Sequence, residues 1–233
     1  MSLPPAASGN AKTVAPHLIL LGLLCLILLL PAAPAQRQAS GVPQVSAGAP
    51  EPQEPQEPPP LLIDRAHPLP PDFSPQDLTP SGTVVLTGEA AAAFNSLTAE
   101  ALNAGVVITS ASGYRSYQEQ AALHEQYTLS YGPERAREIS APPGSSEHQS
   151  GLAVDIANPD GACALQACFA QTPAGSWAAE NGWKHGFIIR YPQGAEAVTG
   201  YTFEPWHLRY VGPAAASAMR DAGEPVLESH LAR

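Results

Sequence analysis

The chain has 233 residues, enough for one domain with a sizeable core. Only 14% of its residues are charged and its formal net charge is −10. That balance excludes the basic face that nucleic-acid binding requires, and electrostatic docking on anionic lipid.

All acidic side chains except Glu51, Glu54 and Glu57 lie beyond residue 60, so the acidity belongs to the domain, where solubility is its simplest role. Residues 18–30 form an unbroken apolar run that includes Cys25. The run falls short of the ~20 residues a spanning helix needs and suits the apolar centre of a secretory signal. Ala33-Pro34-Ala35 then offers a cleavage site, so residues 1–35 read as a signal peptide. An N-terminal membrane anchor is the alternative, because Lys12 is the only basic side chain ahead of the run. Residues 36–60 are rich in Pro, Glu and Gln, cannot bury enough apolar surface to fold, and form an extended linker. The chain is therefore expected to be exported, secreted or held in the cell envelope, touching the membrane only through its N-terminal segment. Nothing in the pattern demands more than a monomer.

Folded structure is expected over 61–233. Residues 87–104 predict a helix with Phe94, Leu97, Ala101 and Leu102 on one face, ended by Gly105. A short strand follows over 106–110. Ser116 caps a second helix reaching about residue 127 and carrying Gln120, Leu123 and Tyr127. Residues 152–156 predict a strand, 176–185 a helix and 187–191 a strand. Residues 202–211 predict a strand broken at Pro205, which cannot donate to a ladder. Pro213 opens a last helix and Gly223 closes it. This mixed order without βαβ regularity gives an α+β class: a small mixed or antiparallel sheet with flanking helices in a single domain. Cys163 and Cys168, an even pair in an exported chain, read as a disulfide closing a short loop. Zinc ligation is the weaker alternative, since no histidine lies nearby in sequence.

Three residues invite a metal. His148 sits in a polar loop, Asp155 in the following strand, and His207 closes Glu204-Pro205-Trp206-His207. Two imidazoles and one carboxylate make a three-ligand Zn²⁺ site with a position left for water, and Glu204 would activate that water. Residue types and spacing leave a plainer reading open: a solvated loop histidine, a turn-capping aspartate, and a surface Glu204 paired with Arg209. Glu204 and His207 would point to opposite sides of a regular strand, so the metal reading requires a bulge or kink at Pro205-Trp206.

Several stretches resemble the zinc D-Ala-D-Ala carboxypeptidases of the VanY type, in that family's motif order over about residues 61–230. They are Ser112-Gly113-Tyr114-Arg115-Ser116; Ser146-Glu147-His148 with Gly151 and Asp155; residues 186–192; and residues 204–212. His67-Pro68-Leu69-Pro70 with Asp72-Phe73 resembles the start of the family's domain. The resemblance implies one Zn²⁺ on His148, Asp155 and His207, with Glu204 as general base. It implies a peptidoglycan stem peptide or precursor as substrate and loss of its terminal D-alanine. An L,D-carboxypeptidase trimming tetrapeptide stems would use the same motifs. A wall-binding module without catalysis is the alternative outside the enzymes. The resemblance also gives Arg115 a role in holding substrate, where the residues alone favour a surface salt bridge. It places Gln120 and Ser146 at the peptide, while Tyr201 and Trp206 read equally as cleft walls or plain core aromatics.

Overall fold

In the computed structural model, which describes residues 58–233, the chain opens on a hairpin that the sequence pattern does not announce. β1 (Leu78–Ser81) pairs antiparallel with β2 (Val84–Thr87). The two-residue turn between them needs Gly82, whose φ is +60°. The expected signal peptide and all but the last three residues of the expected linker lie outside the described residues. Among the described residues, no helix is long and apolar enough to cross a membrane.

α1 (Gly88–Asn103) follows directly. Its Thr87 N-cap makes no side-chain bond; Asp77 instead accepts from the Gly88 N–H at 2.9 Å and places a carboxylate on the helix N-terminus. Phe94, Leu97 and Ala101 are buried as expected, whereas Leu102 is 62% exposed. Leu102 lies about 100° around the helix from Ala101 and leaves the buried stripe. Instead of the expected 106–110, the strand is β3 (Thr109–Ser112). Ser116 caps α2 (Tyr117–Tyr131) in a reciprocal capping box with Glu119. A short α3 (Pro133–Ile139), which was not expected, begins at a proline.

The main sheet has the order β3-β4-β6-β5, all antiparallel, with β4 (Ala153–Ala157), β5 (Phe187–Ile189) and β6 (His207–Tyr210). Val154, Ile156, Leu208 and Phe187 pack from it into the core, against Phe94 and Leu97 of α1 and Ala174 and Ala178 of α4 (Pro173–Asn181). Burial of such side chains at about 1.5–3 kcal/mol each supplies the main drive for this packing. α4 starts three residues earlier than the expected 176–185 helix, at Pro173 behind a Thr172 cap, and yields to a 3-10 turn over Gly182–His185. A short α5 (Glu196–Thr199) precedes β6; α6 (Pro213–Asp221) begins at the expected proline, and α7 (Leu227–Leu231) ends the domain. The α+β class therefore holds.

Candidate active site

The sheet's second face carries the polar row. Side chains alternate along β4, so Val154 and Ile156 in the core put Asp155 on the other side. Asp155 and His207 are direct partners across β4 and β6. On the other flank, a bulge between Ser110 and Ser112 shifts the register. Ser110 pairs with core-facing Ile156, yet Ser112 pairs with Asp155. The extra residue thus re-aims Ser112 onto the cleft face.

His148 reaches this row from a 3-10 turn over Glu147–Ser150. Gly151 ends the turn with φ +69°, and a Cβ there would lie 3.2 Å from the Thr87 nitrogen, so a glycine lets the chain reverse into β4. Glu204 arrives by a tight turn: the His207 N–H donates to the Glu204 carbonyl at 3.1 Å. The expected break at Pro205-Trp206 is therefore a turn, and it leaves Glu204 Oε2 3.7 Å from His207 Nδ1.

The hydrogen bonds orient both imidazoles and fix the tautomer of His148. His148 Nδ1 lies 2.7 Å from the Gly113 carbonyl, which can only accept, so Nδ1 carries the proton and Nε2 a lone pair. That lone pair faces Asp155 Oδ2 at 3.3 Å. His207 turns Nε2 to Glu147 Oε2 at 3.3 Å and Nδ1 to Asp155 Oδ1 at 3.3 Å. Two imidazoles thus aim at two different oxygens of one carboxylate, and the donor atoms of the three residues lie within 4.8 Å of one another. Zinc bonds of ~2.0–2.1 Å in tetrahedral array separate ligand atoms by about 3.3–3.4 Å. The residues fit a zinc ion.

The electrostatics agree with a site built for a cation. Burial pushes the Glu204 carboxyl up to about 7, opposed by His207 and reinforced by the charges of Asp155 and Glu147. Burial also raises Asp155, but the two histidines outweigh it and hold the group well below the usual carboxylate range. Burial depresses His148. For His207 the carboxylates of Asp155 and Glu147 overcome burial and hold it up to about 9.

The cleft over these groups has a volume of about 850 Å³. Arg115, Gln120, Ser146, Tyr201 and Trp206 all line it. Arg115 Nη2 lies 3.4 Å from Ser112 Oγ, and among the described residues no carboxylate is within 4 Å of its guanidinium, so the surface salt bridge does not form. Gln120 is buried, with Nε2 donating to the Ala141 carbonyl at 2.6 Å. Trp206 both lines the cleft and packs against the core. Cys163 and Cys168 are bridged, and the residues between them reach the rim.

Glu147 was given no role by the sequence reading. Its side chain is fully buried, with Oε1 accepting from Arg190 Nε at 2.7 Å and from Arg209 Nη1 at 2.6 Å. Arg209 is thus committed to Glu147, not to Glu204. Arg190 in turn grips both carboxylate oxygens of Glu228 on α7. Tyr191, also unassigned from sequence, places its ring 5.0 Å from that of His207. The available signal was the motif itself, a glutamate next to one histidine and arginines beside the two later strands, but only the fold joins them.

Sheet, cleft and donor set together define a candidate single-ion metal site of peptidase type. The chain belongs to the VanY family, described as D-alanyl-D-alanine carboxypeptidases, which residues 83–213 match. It is 37% identical over 170 residues to a putative carboxypeptidase, YodJ, of Bacillus subtilis (strain 168), covering 69% of this chain and 62% of that protein. It spans still less of the other curated relatives it matches. Among solved structures it is similar to the LdcB LD-carboxypeptidase, with TM-score 0.68, 36% identity and coverage of 73% of this chain and 84% of the other. It is also similar to a vancomycin-resistance D,D-pentapeptidase VanY solved in complex with Zn(II), with TM-score 0.64, 31% identity and coverage of 73% and 97%.

Proposed function

We propose that this protein is a zinc-dependent D,D-carboxypeptidase of the cell envelope that removes the terminal D-alanine from peptidoglycan stem peptides. The observation that carries this reading is the convergence of His148 Nε2 and His207 Nδ1 on the two oxygens of Asp155, 3.3 Å each, with Glu204 beside them in an open cleft. Family membership and the zinc-bound relative support the metal and the substrate class.

One zinc per chain would be held by His148, Asp155 and His207. The chemistry a bound zinc supplies is polarisation of the scissile carbonyl and acidification of water. Glu204 accepts the proton of the attacking water and returns it to the leaving amine; its burial-raised basicity suits both transfers near neutral pH. Glu147 keeps the His207 ring oriented by accepting at Nε2. Arg115 holds the substrate's C-terminal carboxylate, for which its fork-shaped donor set is suited. Arg115→Ala is therefore expected to lower kcat/KM on a free-acid peptide about 10–100-fold, the worth of a charged hydrogen bond, and to affect the peptide amide little. Equal loss on both peptides would assign Arg115 to another task.

The likeness to an LD-carboxypeptidase favours one second reading, L,D cleavage of a tetrapeptide stem at the same site. Mass spectrometry of the zinc-loaded protein with a pentapeptide ending in D-Ala-D-Ala and a tetrapeptide ending in one D-Ala separates the two. Chelator-sensitive loss of alanine from the pentapeptide alone supports the D,D reading, and loss from the tetrapeptide alone moves the protein to the L,D class. Stoichiometric zinc with no cleavage of either would favour a wall-binding module or cleavage of a different bond, which intact muropeptides would then test.

A further inference from the structure

We propose that the disulfide-closed turn between Cys163 and Cys168 is a substrate-reading wall of the cleft, with Leu165 as its contact to stem residues preceding the scissile bond. The inference rests on the stem-peptide reading above. β4 ends at Ala157, two residues after Asp155, and the chain turns directly into this segment. Leu165, Gln166 and Ala167 line the same cleft as His148, Asp155 and His207.

Leu165 is 52% exposed, so it contributes little to the core. Its φ is +52°, and that of Cys163 is +56°, a region that L side chains enter only when their surroundings hold them there. What holds them is local. The bridge joins cysteines five positions apart, the Gln166 N–H donates to the Cys163 carbonyl at 3.2 Å, and Asn158 Nδ2 donates to the Ala162 carbonyl at 3.0 Å. Cys163 packs against the core on one side and Phe169 is fully buried on the other. An apolar side chain is thus fixed at a metal-site cleft, at a conformational penalty and with little packing return.

Residues 161–169 carry no charge. This wall suits uncharged aliphatic and backbone parts of a peptide. The cleft, near the upper end of the ~300–1,000 Å³ usual for ligand sites, has more room than a terminal dipeptide fills.

The test is calorimetric binding to the zinc-loaded full-length protein carrying Glu204→Gln, so that ligands persist. The ligands are acetyl-D-Ala-D-Ala, a stem tetrapeptide and a stem pentapeptide. Adding Leu165→Ser is expected to weaken one or both stem peptides about 10-fold and leave the dipeptide and zinc content unchanged. The double change Cys163→Ala with Cys168→Ala should do the same by releasing the turn. Equal weakening of all three ligands, or no change in any, overturns the proposal, and a parent that binds no peptide overturns it together with the stem-peptide reading. If Leu165 sets stem-peptide Kd while the unaltered protein cleaves nothing, the wall stands and the carboxypeptidase reading falls. Cleavage with a Leu165-independent Kd gives the reverse.

Discussion

Glu204→Gln is expected to lower kcat on the cleaved stem peptide by about 10²–10⁴-fold, the usual range for loss of a positioned general base. Zinc content should stay within twofold and the midpoint of thermal unfolding should barely move. The separation follows from how Glu204 is held. Its N–H donates to the Tyr191 carbonyl at 3.0 Å, and its own carbonyl accepts from the His207 N–H, so backbone, not side chain, sets its place. No arginine or lysine pairs with its carboxylate among the described residues, so the amide gives up only the 3.7 Å contact with His207. Glutamine keeps the shape and removes the basicity. Zinc titration beside single-turnover kinetics checks the result. Retained turnover would remove Glu204 from the chemistry, and joint loss of zinc and activity would make it a ligand.

The candidate metal set came from the family resemblance, since the residues alone left a plainer reading open, but parts of its geometry follow short-range rules. Alternation along β4 separates Asp155 from Val154 and Ile156, and a break at Pro205 was readable from the missing N–H, although the structure makes it a turn and not a bulge or kink within the strand. The elements that escaped are those that tertiary partners impose. β1 holds Pro80 and polar neighbours, a pattern that argues against a strand until β2 pairs with it. β3 is Thr-Ser-Ala-Ser, recruited by β4, while the more apolar Val106-Val107 just before it stays outside the sheet, with Val107 47% exposed. Propensity favours those valines; edge pairing decides otherwise. Glu147 escaped for a stronger reason. A glutamate between Ser146 and His148 reads as solvated, and its partners Arg190, His207 and Arg209 lie 43, 60 and 62 residues away. No local pattern encodes a buried charge whose compensation arrives from two other strands.

That compensation makes Glu147→Ala the change expected to cost the fold most. Glu147 is ionised in the native state, because Arg209, Arg190 and His207 together outweigh its burial and hold its carboxyl well below the usual range. Removing it strands the guanidinium of Arg209. Arg190 keeps Glu228, but among the described residues Arg209 retains only the carbonyls of Leu61 and Tyr210. Breaking a buried ion pair from one side costs about 3–5 kcal/mol, a large share of the ~5–15 kcal/mol that holds a domain together. For a domain of this size the unfolding midpoint should fall by roughly 10 °C. Zinc affinity should fall about 10–100-fold as well, since His207 loses the acceptor that orients its ring. Glu228→Gln supplies the control at the far end of the network: its side chain is 15% exposed and its carboxylate pairs with Arg190 and with no metal-site residue among the described residues, so a smaller thermal shift with unchanged zinc affinity is expected. Calorimetry and competitive zinc titration on both variants read the two effects separately. A Glu147→Ala protein that unfolds earlier but binds zinc as before would confine Glu147 to the scaffold. One that keeps its midpoint would show that the two arginines are solvated after all.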